Sequence, residues 1–143
     1  MKKLHTEINI NATPERVWQV LTDFASYAEW NPFIIAAAGN AAVGERLEIR
    51  MDPPGGRAAT FRPTVTGAES PKRLEWMGKF LFKGLFDGRH RFEIEGTSRG
   101  TNLIQSEEFT GVLVPLLAKS LDGPTRKGFE LMNRAIKERA EDG

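Results

Sequence analysis

Three polar residues in the second half of the chain can act together: His90 and Glu107, whose side chains exchange protons, and Gln105, whose amide gives and takes hydrogen bonds. The segments that carry them alternate in character. His90, Phe92 and Ile94 fall on one face and Arg89, Arg91, Glu93 and Glu95 on the other, while Leu103, Gln105, Glu107 and Phe109 share a face that Leu103 and Phe109 assign inward. If Thr97-Ser98-Arg99-Gly100 joins the two strands as a four-residue loop, Ile94 lies opposite Leu103, Phe92 opposite Gln105 and His90 opposite Glu107. Burial disfavours both charged forms of such a pair, and each partner favours the charge of the other, so the pair would hold its protons as a unit. That arrangement can abstract a proton next to a carbonyl or deliver one to a leaving hydroxyl, with Glu107 orienting His90. The same residues have a plain structural reading, in which the pair satisfies itself or an arginine, or a register shifted by one places both in water. A metal is not expected, because His90 with one or two carboxylates is a thin ligand set and His5 has no spacing that links it to them. Neither a Ser-His-Asp spacing nor a phosphate-binding glycine loop is present, and no cofactor is expected.

The elements that position these residues begin with INATPERVWQVLTDFASYAEWNPF, residues 10–33. Val17, Val20, Leu21 and Phe24 form the apolar stripe of a helix, with Trp18 beside them. Thr13 is the expected N-cap and Pro14 suits the first turn. Asp23 is expected to cap a second short helix that runs toward Trp30 and is stopped by Pro32. Helices this short need a sheet to lie on. From Ile34 onward the period becomes twofold. Leu47, Ile49 and Met51 alternate with Glu48 and Arg50; Phe61, Pro63 and Val65 alternate with Arg62, Thr64 and Thr66; Leu74 and Trp76 alternate with Arg73, Glu75 and Met77. With Thr6 to Ile10 at the front, seven antiparallel strands are expected. After Gly111 a helical stripe returns through Leu113, Leu117, Leu121, Gly128, Phe129, Met132 and Ile136, with a kink or break expected at Asp122-Gly123-Pro124.

Composition removes whole classes of partner. The 143 residues suit one domain, 1–143, with one core. Twenty basic against 19 acidic side chains give no pull toward nucleic acid or an anionic membrane. The absence of cysteine excludes a disulfide scaffold, a thiolate nucleophile and a cysteine-ligated metal. MKKLHTEINI alternates instead of forming an apolar block, so it reads as a strand and not a signal peptide, and a cytoplasmic protein is the default expectation. No run approaches the roughly 20 apolar residues of a membrane span.

The order strand, two short helices, six strands, long helix resembles the START and birch-pollen-allergen-like (SRPBCC) superfamily, and within it the bacterial polyketide cyclase/dehydrase-like proteins. The residues that carry the resemblance are Ala12-Thr13-Pro14, Val17-Trp18, Leu21 to Phe24, Tyr27, Trp30-Asn31-Pro32-Phe33, Gly44, Pro63-x-Val65, Leu74-x-Trp76, His90-x-Phe92, Gly100-Thr101 and Glu108-Phe109-x-Gly111. The resemblance spans nearly the whole chain. It implies an α+β helix-grip fold, a curved sheet wrapped around the long C-terminal helix with an internal apolar cavity that holds a lipid, polyketide or similar molecule. It does not choose the chemistry.

Alternation and the helical stripe together name a cavity wall: Leu47, Ile49, Phe61, Val65, Trp76, Phe92, Ile94, Leu103 and Phe109 from the sheet, Trp30 and Phe33 near one end, and Leu117, Leu121, Phe129 and Met132 from the helix, with Gln105 among the inward polar groups. Plain core packing accounts for any one of these without a ligand. Residues 79–88, KFLFKGLFDG, place Phe80, Phe82, Leu85 and Phe86 in a connection, and with Pro53 and Pro54 they are expected to form a gate over the cavity mouth. Packing on the helix or on a second subunit, as in a homodimer, is the alternative. Three functional classes remain: binding or carriage of a hydrophobic small molecule, a cyclase or dehydratase using His90 and Glu107, and an interaction module like the relatives that regulate chaperones. Binding is placed first.

Overall fold

The computed structural model describes residues 1–79 and 84–143. The sheet segments form β1 (Lys2–Ile10), β2 (Ile34–Ala38), β3 (Glu48–Met51), β4 (Ala59–Phe61), β5 (Thr64–Glu69), β6 (Arg73–Lys79), β7 (Asp87–Thr97) and β8 (Gly100–Thr110). The helical segments form α1 (Pro14–Thr22), a 3-10 turn (Phe24–Ser26), α2 (Tyr27–Trp30), α3 (Val114–Ser120) and α4 (Arg126–Asp142). The class is α+β, with antiparallel sheet and a long C-terminal helix. Among the described residues no helix is long and apolar enough to cross a membrane.

Among the described residues the strands number eight, not the seven expected, and they divide into a sheet ordered β1-β8-β7-β6-β5 and a smaller one ordered β2-β3-β4. Pro63 explains the difference. It has no backbone N–H to give a ladder and lies between Phe61 and Thr64, so the single run read from Phe61 to Thr66 breaks into β4 on one sheet and β5 on the other. The sheets stay joined at the break: the Leu47 N–H donates to the Pro63 carbonyl and the Val65 N–H to the Glu45 carbonyl, both at 2.8 Å.

The Thr13 side chain caps α1 by accepting from the Arg16 N–H at 3.1 Å, whereas the Asp23 side chain makes no capping hydrogen bond. Asn31 ends α2 instead: its Oδ1 accepts from the Phe33 and Ile34 N–H groups at 2.9 Å each, which turns the chain around Pro32 into β2. Tyr27 is fully buried against Phe24 and Trp30, and its hydroxyl donates to the Leu21 carbonyl. Burial, and then the charge of Asp23, push that hydroxyl far above its ordinary range, so it remains a donor. The expected break in the C-terminal helix is a π-helical turn, Leu121–Thr125, containing Pro124.

The helix α4 lies against β1, β8 and α1 through Phe129, Met132 and Ile136, all with no exposed surface. Burying side chains of this size stabilises the fold by roughly 1.5–3 kcal/mol each. Gly128 lets α4 approach the core, since a Cβ there would stand 2.3 Å from Phe33 Cδ1. Gly128→Val is therefore expected to destabilise the fold by about 3 kcal/mol, the upper range of overpacking. Urea denaturation measures this, and an unchanged midpoint would show that Phe33 yields freely.

On the outer face of the large sheet Glu75 is only 6% exposed. Burial raises its carboxyl, but hydrogen bonds from Thr66 Oγ1 and Arg91 Nε, each 2.8 Å, and the charges of Arg91 and Arg73 outweigh burial and leave it below the ordinary value of 4.5. The stabilisation is present above that value and is lost as pH falls through the lower, folded-state value, because the unfolded chain takes up the proton first. Glu75→Gln should show a smaller drop in urea midpoint between neutral and acid pH than the parent, and an equal drop would remove Glu75 from the acid response.

Candidate functional site

The geometry of the site follows from three rows that cross the inner face of the large sheet. β6, β7 and β8 pair so that Leu74, Phe92 and Gln105 form one row, Trp76, His90 and Glu107 the next, and Gly78, Gly88 and Phe109 the third. The register is the one expected from sequence, although the turn is tighter: Thr97 pairs with Gly100, leaving two residues between the strands. In the third row two glycines stand side by side, so the layer of side chains has a gap. A pocket of about 160 Å³ lies over it, faced by Ile49, Met51, Ala59 and Phe61 of the small sheet and by Leu121 and Thr125 of the π turn. Its lining is mostly apolar. Exposed Arg57 and Lys79 lie at its edge, and Glu107 is the one carboxylate among the described lining residues.

His90 is fully buried behind that carboxylate. Its ring stacks on Trp76 at 5.0 Å and touches Phe92 and Phe129, each 4.9 Å away between ring centres. Nδ1 lies 3.0 Å from Glu107 Oε1 and Nε2 2.9 Å from Gln105 Oε1. The hydrogen bonds continue into the core. Gln105 Nε2 donates to Asn133 Oδ1 at 2.7 Å and to the Phe129 carbonyl at 3.4 Å. Asn133 Nδ2 donates to Thr6 Oγ1 at 2.9 Å, and Thr6 Oγ1 donates to the Gln105 carbonyl at 2.7 Å. A polar thread thus runs from the pocket through β7 and β8 to α4 and β1. Only Glu107, with 12% of its side chain exposed, reaches the opening.

Of the residues named from sequence, Phe33, Ile49, Phe61, Trp76, Phe109 and Leu121 line this pocket, and Glu107 joins them. Leu47, Val65, Phe92, Gln105, Phe129 and Met132 are buried away from its lining, and Leu117 is half-buried outside it. Trp30 does not line it either. It packs edge-on against Tyr27 and borders a polar hollow with Arg139 and Asp142 near the end of α4. Of the expected gate, Pro53 and Phe86 line the pocket, and Phe86 stacks on Phe109 at 5.6 Å. Pro54 and Leu85 are half-buried outside the lining, with the Leu85 carbonyl accepting from the Leu113 N–H, while Phe80 and Phe82 lie outside the described residues. His5 pairs with exposed Glu7 at 2.8 Å on β1. No cluster of potential metal ligands occurs among the described residues.

Sequence reading missed Gly78 and Gly88, yet their signal was present. Each lies two residues from an inward aromatic ring, Trp76 or His90, where alternation calls for a side chain. A Cβ on Gly88 would stand 2.2 Å from Glu107 Oε2, so the glycine makes room for the carboxyl. Asn133 and Thr6 were missed because a polar residue on an apolar helix stripe or strand end gives no hint of its partner across the core.

Antiparallel strands in two sheets, two short helices after the first strand and a long closing helix define an α+β class of fold. The chain belongs to the family described as polyketide cyclase / dehydrase and lipid transport, whose sequence profile matches residues 1–142. It is a member of the SRPBCC type. None of the curated proteins matches the chain. Among solved structures it is similar to protein MLL2253 from Mesorhizobium loti, at 19% identity and TM-score 0.77, over 99% of this chain and 98% of the other. It is similar to TTHA0849 from Thermus thermophilus, at 16% identity and TM-score 0.77, over 99% and 98%. It also resembles StfQ, a di-domain ARO/CYC of the steffimycin biosynthetic pathway, at 16% identity and TM-score 0.79, covering 98% of this chain and 51% of StfQ. At these identities the likeness is one of fold.

Replacing His90 leaves Gln105 Oε1 and Glu107 Oε1 without their partner. His90→Phe, which keeps an aromatic ring in the cage, is expected to cost about 1–3 kcal/mol. Adding Glu107→Leu should cost less than the two single changes summed, because the pair acts as a unit. Additive losses in urea denaturation would mean that the two residues do not act together.

Proposed function

We propose that this chain, acting as one domain over residues 1–143, binds or carries a hydrophobic small molecule in the pocket between its two sheets. The observation that carries this reading is the gap over Gly78 and Gly88, walled by apolar side chains from both sheets and the π turn. Two adjacent inward glycines sacrifice packing that a core of this size would otherwise use, and space left open by the backbone itself is available to a ligand. Its volume is close to that of an apolar cavity that accepts a single aromatic ring, about 150 Å³. Pro53 and Phe86 stand where a gate would. The family description, which includes lipid transport, agrees with this reading. Cytoplasmic location belongs to the same proposal.

A second reading, a cyclase or dehydratase acting on a polyketide-like substrate, is favoured by one observation: the only carboxyl in the pocket wall among the described residues is hydrogen-bonded to a buried histidine. Such a pair suits proton transfer at a bound ligand. The fold likeness to an ARO/CYC domain supports the reading without deciding it.

Native mass spectrometry of the protein as purified from cells, followed by titration with a fluorescent hydrophobic probe, tests the binding reading. Ala59→Trp places a large ring in the pocket from the edge of β4 and is expected to reduce probe affinity about tenfold or more, with little change in melting temperature, since Ala59 is only half-buried. Probe binding that is unaltered in Ala59→Trp would show that the pocket is not the site.

A further inference from the structure

We infer that the pocket selects ligands carrying a hydrogen-bond donor, a hydroxyl or N–H on a small apolar body, and that Thr6, Asn133 and Gln105 set this selection by fixing the tautomer of His90. The inference rests on the pocket being the binding site.

The direction of every bond from Thr6 to His90 Nε2 is determined by two backbone carbonyls, which only accept. Thr6 has a single hydroxyl proton and gives it to the Gln105 carbonyl, so it must accept from Asn133. The amide nitrogen of Asn133 therefore faces Thr6, and its oxygen faces Gln105. Gln105 must present nitrogen to that oxygen, and the Phe129 carbonyl demands the same orientation independently. What remains toward His90 is Gln105 Oε1, an acceptor 2.9 Å from Nε2. Nε2 must carry a proton.

The consequence passes to Glu107. With Nε2 protonated, Nδ1 is either a bare lone pair, which Glu107 Oε1 meets by carrying the proton, or a second N–H, which meets a carboxylate. Both distributions hold the proton between Nδ1 and Oε1, and both leave the pair without net charge. In neither does Oε2 carry hydrogen. Oε2 is the carboxyl oxygen that lies over Gly88, beside the pocket, and among the described residues it has no hydrogen-bond partner. The pocket thus presents an acceptor in an apolar wall. A ligand hydroxyl or N–H completes it, whereas a ligand carbonyl or carboxylate brings lone pair against lone pair. If Gln105 did not hold Nε2–H, His90 could protonate Nδ1 alone, and Oε2 could then carry the proton and act as a donor.

Single-ring probes that fit about 160 Å³ test this directly. Phenol is expected to bind about tenfold or more tightly than benzaldehyde by calorimetry, and Glu107→Leu should remove most of that ratio while both still bind. In parallel, ¹⁵N NMR of the parent protein should show His90 protonated at Nε2, and Gln105→Met should release that restriction. The ¹⁵N signature reports tautomer, which a merely space-filling role for Gln105 would leave unchanged. Equal binding of phenol and benzaldehyde to the parent, or a His90 without a proton on Nε2, overturns the inference while leaving the pocket as a binding site. Failure of both probes to bind would overturn the binding reading and this inference with it.

Discussion

The interaction on which the arrangement depends is the complete hydrogen bonding of a histidine that water cannot reach. His90 sits among Trp76, Phe92 and Phe129 with no exposed surface, where an unpaired ring nitrogen would cost about 1–3 kcal/mol. Each nitrogen therefore requires a partner, and each partner requires the next. Gln105 reaches from β8 to Asn133 on α4, and Asn133 to Thr6 on β1. The thread ties the closing helix to the sheet at one register and one rotation. Apolar packing of Phe129, Met132 and Ile136 alone would tolerate a wider range.

The pocket lies where this ordered region meets the less regular edges of the fold. Pro63 divides the sheet, the π turn interrupts the closing helix, and Gly78 and Gly88 bring no side chain of their own to the inner face, Glu107 Oε2 taking the space at Gly88. Each of these departs from a local rule of strand or helix, and they surround one small volume. Departures that converge in space leave a volume that close packing would otherwise fill, with one carboxyl in its wall among the described residues.

Much of the fold was legible because its signals are periodic. Twofold alternation from Leu47 to Met51 and from Arg89 to Glu95 marked strands and their inward faces, and Thr13-Pro14 marked the start of α1. The His90–Glu107 juxtaposition was readable because a short turn between alternating strands leaves few registers open. The strand count was misread at Pro63, where alternation continues through a residue that cannot join a ladder. Trp30 was misplaced because the path of α2 depends on what it packs against, and four residues of helix carry no direction of their own.

The sequence by itself determined the α+β class and the inward faces, and it narrowed His90 and Glu107 to a choice between pairing and a one-residue shift, since these follow from spacing along one chain. The tertiary structure alone decided which inward residues face a pocket and which are plain core. Gln105, Phe92 and Glu107 look alike by alternation, yet only Glu107 reaches the opening. The reason is that accessibility depends on what stands opposite: Asn133 and Phe129 of α4 cover Gln105, whereas the glycines of β6 and β7 leave Glu107 uncovered.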